Sequence, residues 1–221
     1  MEPMIRIPAL EELNDAMGGI PLFPLPQAVL FPNTILRLHV FEPRYVQLLE
    51  DCLEGNRFMA IPRLSPGWEE HPPPPRICPV AGVGFVLHSA PVQDRRYNIA
   101  LLGMGRIRIA GEVSTEKMYR IARGELLEDS PVPAGELQAR LSGLQMLLAQ
   151  LALQNSELSG LFSPLMEPGL EPAPLVNTLA HLLLRDADSR QACLESDSVL
   201  ERCSIVEEAL ASALLGGAVE E

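Results

Sequence analysis

Prolines at positions 21, 24, 26 and 32 punctuate an otherwise apolar stretch, IPLFPLPQAVLFPNTILRLHV, from Ile20 to Val40. Each removes a backbone donor and fixes its own φ, which forbids a helix and confines any strand to edges, strand starts or bulges. The backbone here is expected to be extended but interrupted. From Thr34 to Val40 the residues Leu36, Leu38 and Val40 alternate with Ile35, Arg37 and His39, the period of a half-buried strand, with His39 on its more polar face.

A helix with both ends marked follows. Pro43 suits the first helical position, Glu42 suits the positive end of the helix dipole, and Gly55 can close the last turn. Tyr45, Leu48, Leu49, Cys52 and Leu53 recur at steps of three and four and form one apolar face. Phe58 to Ile61 then returns the chain to a sheet, before SPGWEEHPPPPR, residues 65–76, breaks all regular structure as a long surface loop. Residues 1–18 show little pattern.

Between Val80 and Leu126 the chain reads as three or four strands, VAGVGFVLH, YNIALLG, RIRIAGEV and MYRIARGEL, with turns around Pro91 to Arg96 and at Gly103 and Gly105. In Arg106-Ile107-Arg108-Ile109 the isoleucines are expected to point inward and the arginines outward. Such closely spaced strands favour an antiparallel barrel or sandwich over a parallel sheet. At Asp129-Ser130-Pro131-Val132-Pro133-Ala134-Gly135 the period changes. Leu137, Leu141, Leu144, Leu148 and Leu151 form one helical stripe, and Val176, Leu179, Leu182 and Leu183 a second. Val199, Cys203, Val206, Leu210 and Leu214 form a third, which starts near Ser198 and stops at Gly216-Gly217. The expected class is α+β: a β-rich barrel subdomain over residues 1–130 with one inserted helix, then an α-helical bundle over residues 131–221.

The 221 residues carry 17 Lys+Arg against 29 Asp+Glu, a net charge of -12, and residues 131–221 hold 4 basic and 13 acidic side chains of that total. This balance argues against nucleic acid as a partner, since phosphate recognition rests on basic side chains that displace counterions. No apolar run reaches membrane-spanning length and the N-terminus is acidic, so a cytoplasmic protein with no membrane partner is expected. Cys52, Cys78, Cys193 and Cys203 are irregularly spaced and have no histidine nearby; they read as reduced core residues, with no disulfide and no metal site implied.

Catalytic patterns are missing where they would be legible. The single lysine, Lys117, follows no glycine-rich loop. Gly82-Val83-Gly84 and Gly103-Met104-Gly105 continue to no third glycine and read as strand bulges. No Gly-x-Ser-x-Gly elbow occurs, and His39, His71, His88 and His181 stand at no triad-like offset. No catalytic residue and no cofactor are assigned. Trp68, just before the polyproline run Pro72 to Pro75, either folds back as a plug or offers an aromatic anchor to a partner.

The segment Ile20 to Leu64 resembles the opening of the N-terminal domain of Lon-type ATP-dependent proteases (peptidase S16), particularly bacterial proteins made of that domain alone. The resemblance rests on the proline-punctuated start, the Val-Leu-Phe-Pro corner at Val29 to Pro32, and Phe-Glu-Pro-Arg-Tyr at Phe41 to Tyr45. DCLEGNRFMAI, RYNIALLGMGRIRI at Arg96 to Ile109 and RQACLESDSVLER at Arg190 to Arg202 extend it over nearly the whole chain, while Pro79 to Gly84 departs from the family's pattern. It implies a partly open, PUA-like β-barrel followed by a helical bundle, and engagement of unfolded or tagged proteins. No ATPase module and no Ser-Lys dyad are read in the chain, so protease activity is not expected.

The leading expectation is a non-catalytic module that binds exposed apolar segments of unfolded or partly folded proteins, as a monomer or weak homodimer. Trp68, Phe85 and His88 are its expected contacts, and Phe31, Phe41, Pro43 and Tyr45 are expected to be framework. Two rivals stand beside it. One is a small-molecule sensor or enzyme using a cleft between barrel and bundle, with His88 and Cys78 nearby. The other is RNA binding, which would need Arg95, Arg96, Arg106, Arg108, Arg120 and Arg123 in one open patch.

Overall fold

A computed structural model describes residues 5–154, 160–167 and 169–216. The chain divides into two compact units, Met1–Glu128 and Asp129–Glu221.

The first unit contains the helices α1 (Leu10–Asp15) and α2 (Pro43–Glu54) and six strands: β1 (Ile20–Leu22), β2 (Ile35–Val40), β3 (Phe58–Ile61), β4 (Val80–Val92), β5 (Arg96–Val113) and β6 (Arg120–Leu127). They form one sheet in the order β2-β5-β4-β3-β1-β6. The strand β5 pairs with β2 through its first half and with β6 through its second, so the sheet curls back toward its own start while β2 keeps a single partner.

The expected all-antiparallel barrel is corrected in one respect: β1 and β3 are parallel, so the sheet is mixed. The segment between them contains α2 and is long enough to return the chain in the same direction, as a parallel pair requires. A second correction concerns Gly103 and Gly105. They do not turn the chain but lie within the continuous β5, where a register shift sets Gly84 opposite Gly103 and Val83 opposite Gly105, the bulge expected of both glycine pairs.

The glycines answer a packing demand. The corner Val29 to Phe31 crosses the sheet so closely that a Cβ on Gly82 would stand 1.9 Å from the Leu30 carbonyl oxygen, and one on Gly103 would stand 2.0 Å from that of Phe31. Leu30 and Phe31 are fully buried there. On one side of the sheet α2 sets Tyr45, Val46, Leu48, Leu49 and Cys52 against Val40, Val86, Ile99 and Leu101. On the other, Leu13 of α1 and Met17 pack with Phe58, Val83, Phe85 and Ile107. Residues 1–18, patternless in sequence, thus supply a short helix and two core residues. The arginines of β5 differ from each other: Arg108 is exposed, but Arg106 is only 3% exposed and its guanidinium donates to the Glu128 carbonyl at 3.3 Å.

The second unit holds α3 (Ala134–Gln154), α4 (Pro172–Leu183), α5 (Ala187–Glu195) and α6 (Val199–Leu214). The stripe Leu141, Leu144, Leu148 and Leu151 of α3 is buried, as are Val199, Cys203, Val206 and Leu210 of α6. Asp186 caps α5 by accepting the Ser189 N–H at 2.7 Å, and Ser198 caps α6 by accepting the Glu201 N–H at 3.3 Å. Gly217, half of the expected helix stop, lies outside the described residues. Arg202 is 1% exposed; it donates to Asn177 Oδ1 at 2.7 Å and pairs with Asp129 at 2.5 Å, without an aligned acceptor for its Nε. No described helix is long and apolar enough to cross a membrane.

Candidate functional site

The open part of the first unit is the arm formed by β2, the first half of β5 and the second half of β4. Facing pairs in an antiparallel sheet point to the same side, which orders the arm into rows. Ile35 faces Leu102 and Phe85; Arg37 faces Ala100 and His88; His39 faces Asn98 and Ala90. The opposite side of the arm is filled by α2. Clasps hold α2 there: Glu50 accepts from Arg95 at 3.0 Å and from the Tyr97 hydroxyl at 3.2 Å, and Asp51 accepts from the Tyr119 hydroxyl at 2.7 Å and pairs with Lys117 at 3.0 Å. The Tyr119 hydrogen bond holds the Asp51 carboxyl below its ordinary range, while burial and Asp51 raise the Tyr119 phenol.

One end of the row face is covered and the other is bare. Phe85, 4% exposed, stacks edge-on against Phe58 with ring centres 5.7 Å apart and lies under the Arg57 guanidinium. It is core, and does not stand at the surface where an extended segment could touch it. Past Val86 the cover ends, and His88 is exposed on the same face as Arg37. Trp68 is half-buried on the loop, opening a short 3-10 turn over Trp68–Glu70. The structure therefore places the three expected contacts in three different settings.

Sequence reasoning missed the apolar residues of the bare end. Phe41, expected to be framework, is 59% exposed and stacks on His39 with ring centres 5.9 Å apart; His39 in turn meets Asn98 at 2.8 Å. Ile35 and Val92 are exposed by 36% and 41%. Arg37 is exposed and enters none of the ion pairs among the described residues, and no carboxylate occurs within β2, at 35–40, or at 96–102 of β5. The alternation of β2 contained this face, since Ile35, Arg37 and His39 were its outward set. The exposure of Phe41 could not be read, because it follows the strand and obeys no period.

The six arginines of the RNA reading are largely engaged. Arg95 pairs with Glu50, Arg96 with Asp94 at 3.9 Å, and Arg120 with Glu112, while Arg106 is buried. Cys78 is buried, and burial pushes the Cys52 thiol up to about 12 and the Cys203 thiol up to about 11. A cleft of about 480 Å³ lies wholly within the helical unit, lined by Leu151, Phe162, Leu182, Leu183 and Ile205 with Arg185, Asp186 and Glu208 among its polar residues; its lining contains no histidine or cysteine.

By fold, the chain is akin to the N-terminal domains of Lon proteases. It superposes on the N-terminal domain of a Mycobacterium avium complex Lon protease with a TM-score of 0.71 at 14% identity, covering 87% of this chain and 98% of that one. A Lon N-terminal domain protein from Xanthomonas campestris gives 0.61 at 21% identity, covering 87% and 97%. Residues 19–212 match the family model described as the ATP-dependent protease La (LON) substrate-binding domain, and the chain belongs to that family. Curated relatives include Lon protease of Trichlorobacter lovleyi, 24% identical over 95% of this chain, and Lon protease 2 of Sorangium cellulosum, 28% identical over 93%. The chain spans about 25% of the length of these relatives, and the matched portion is the substrate-binding domain.

Proposed function

We propose that this chain is a non-catalytic binding module that engages exposed apolar segments of unfolded or partly folded client proteins. The observation that carries the reading is membership of a substrate-binding domain family over residues 19–212. The bare arm supports it physically. Apolar side chains left at the surface beside an unpaired cation are where burial by a partner would release free energy, at roughly 25 cal/mol per Å² of apolar area removed from water. His88 shares that face, and Trp68 stands on the loop between β3 and β4; both are proposed contacts, with Phe85 stiffening the sheet. The four cysteines are buried, and burial raises the thiols of Cys52 and Cys203, which fits packing and not nucleophilic attack.

The test is a fluorescence anisotropy titration of the whole chain against a labelled, permanently unfolded polypeptide such as reduced and alkylated casein. Saturable binding is expected below about 100 μM, equivalent to about -5.5 kcal/mol. No saturation up to that concentration overturns the reading.

A further inference from the structure

The arm has two edges that no described strand covers, and they differ. Arg57 still engages both backbone groups of Val86, but beyond it no described strand accompanies β4, so its outer side runs open as far as Val92; Pro91 lies in that stretch and has no N–H to offer. The other edge is β2, whose only strand partner is β5. It contains neither proline nor bulge. Gly103 N–H donates to the Thr34 carbonyl at 2.9 Å, which sets the alternation of the ladder: Leu36, Leu38 and Val40 direct their backbone groups to β5, whereas Ile35, Arg37 and His39 direct theirs to the open side.

The side chains of this edge have an order of their own. Ile35, at one end, and Phe41, just past the other, are apolar and exposed, and the unpaired Arg37 lies between them. Pro32 and Pro43 bound the edge, which at about 3.4 Å per residue is about 20 Å long. No carboxylate lies on β2 or on 96–102 of β5 to neutralise Arg37, in a chain whose net charge is -12.

Resting on the client-binding reading above, we infer that β2 is the docking edge, and that its occupant is an extended client segment of alternating apolar and acidic residues added to the sheet as a further strand. Backbone groups of Ile35, Arg37 and His39 pair with the segment. Its apolar side chains cover Ile35 and Phe41, and a carboxylate meets Arg37. A peptide fits better than a nucleic acid strand because the edge offers donors and acceptors at strand spacing, while its exposed rings, His39 and Phe41, are stacked on each other.

The probe is a short labelled peptide alternating valine and glutamate, titrated against the whole chain, with hydrogen exchange read residue by residue. Expected are saturable binding, slowed exchange at the amides of Ile35, Arg37 and His39, and affinity about tenfold lower when lysine replaces glutamate in the peptide. Arg37→Glu reverses that charge preference, and Arg37→Gln abolishes it should the reversed charge disturb folding. If unfolded polypeptide binds but these amides stay unprotected and both variants behave like the parent, client binding stands and the β2 edge is overturned. If neither casein nor the peptide binds, both readings fall. Concentration-dependent protection of the same amides without peptide assigns the edge to a second copy of the chain, and competition by single-stranded RNA assigns it to nucleic acid; either outcome overturns the proposal.

Discussion

The two units reach a tight interior by opposite means. In the β unit, backbone is pressed against backbone: Leu30 and Phe31 cross glycines that leave no room for a Cβ. In the helical unit, side chains fill the space between helices and a buried guanidinium ties Asp129 and Asn177 to α6. The first arrangement is intolerant of added atoms, and the second of removed ones.

That contrast breaks most readily at the glycines. Gly82→Ala or Gly103→Ala must displace the crossing corner, and a loss of about 3 kcal/mol or more in urea unfolding is expected; a loss below 1 kcal/mol would mean that the corner yields and the backbone contact is not the constraint. Arg202→Met comes next. It leaves Asn177 without its charged partner in a buried site, at a cost of about 3 kcal/mol, and amide exchange should quicken in α4 and α6 while the β unit keeps its protection.

Asp186→Ala is a smaller test, costing about 1 kcal/mol through the lost cap of α5. The hydrogen bond from the Ser189 N–H holds the Asp186 carboxyl below its ordinary range. Its contribution is therefore complete above the ordinary value of about 4 and fades as pH falls through the folded value. The difference in stability between parent and variant should shrink correspondingly in acid. Least in size and opposite in sign is Gly143→Ala in α3, where a Cβ meets nothing within 4 Å. Here the same substitution that breaks the β unit should stabilise by about 0.5–1 kcal/mol.

The sequence made legible whatever local chemistry decides. The helix α2 runs from Pro43 to Glu54 with Gly55 at its end, and β3 is Phe58–Ile61, both as expected from a proline, a glycine and an apolar run. The stripes of α3 and α6 followed the same logic. What could not be read was decided by contacts distant in sequence. A strand glycine that admits another backbone and a glycine that turns the chain look alike, so β5 was expected to break where it is continuous. Phe85 was mistaken for a surface contact because the sheet is covered on both faces from Val80 to Val86, leaving no alternation to mark a solvent side. The parallel pairing of β1 was hidden by its length, three residues with Pro21 at the centre. Of the candidate face, the outward set Ile35, Arg37 and His39 was present in the alternation, but its emptiness depended on where α1 and α2 come to rest.

The pairing of Ile20 with Ala122 gives the order of assembly a particular shape. During synthesis β1 emerges about a hundred residues before the strand it must join, and the corner at Leu30 and Phe31 precedes the glycines that receive it by more than fifty. Until β6 has left the ribosome, the proline-rich opening of the chain is an extended apolar segment awaiting a home, which is the very kind of polypeptide that the finished domain is proposed to hold.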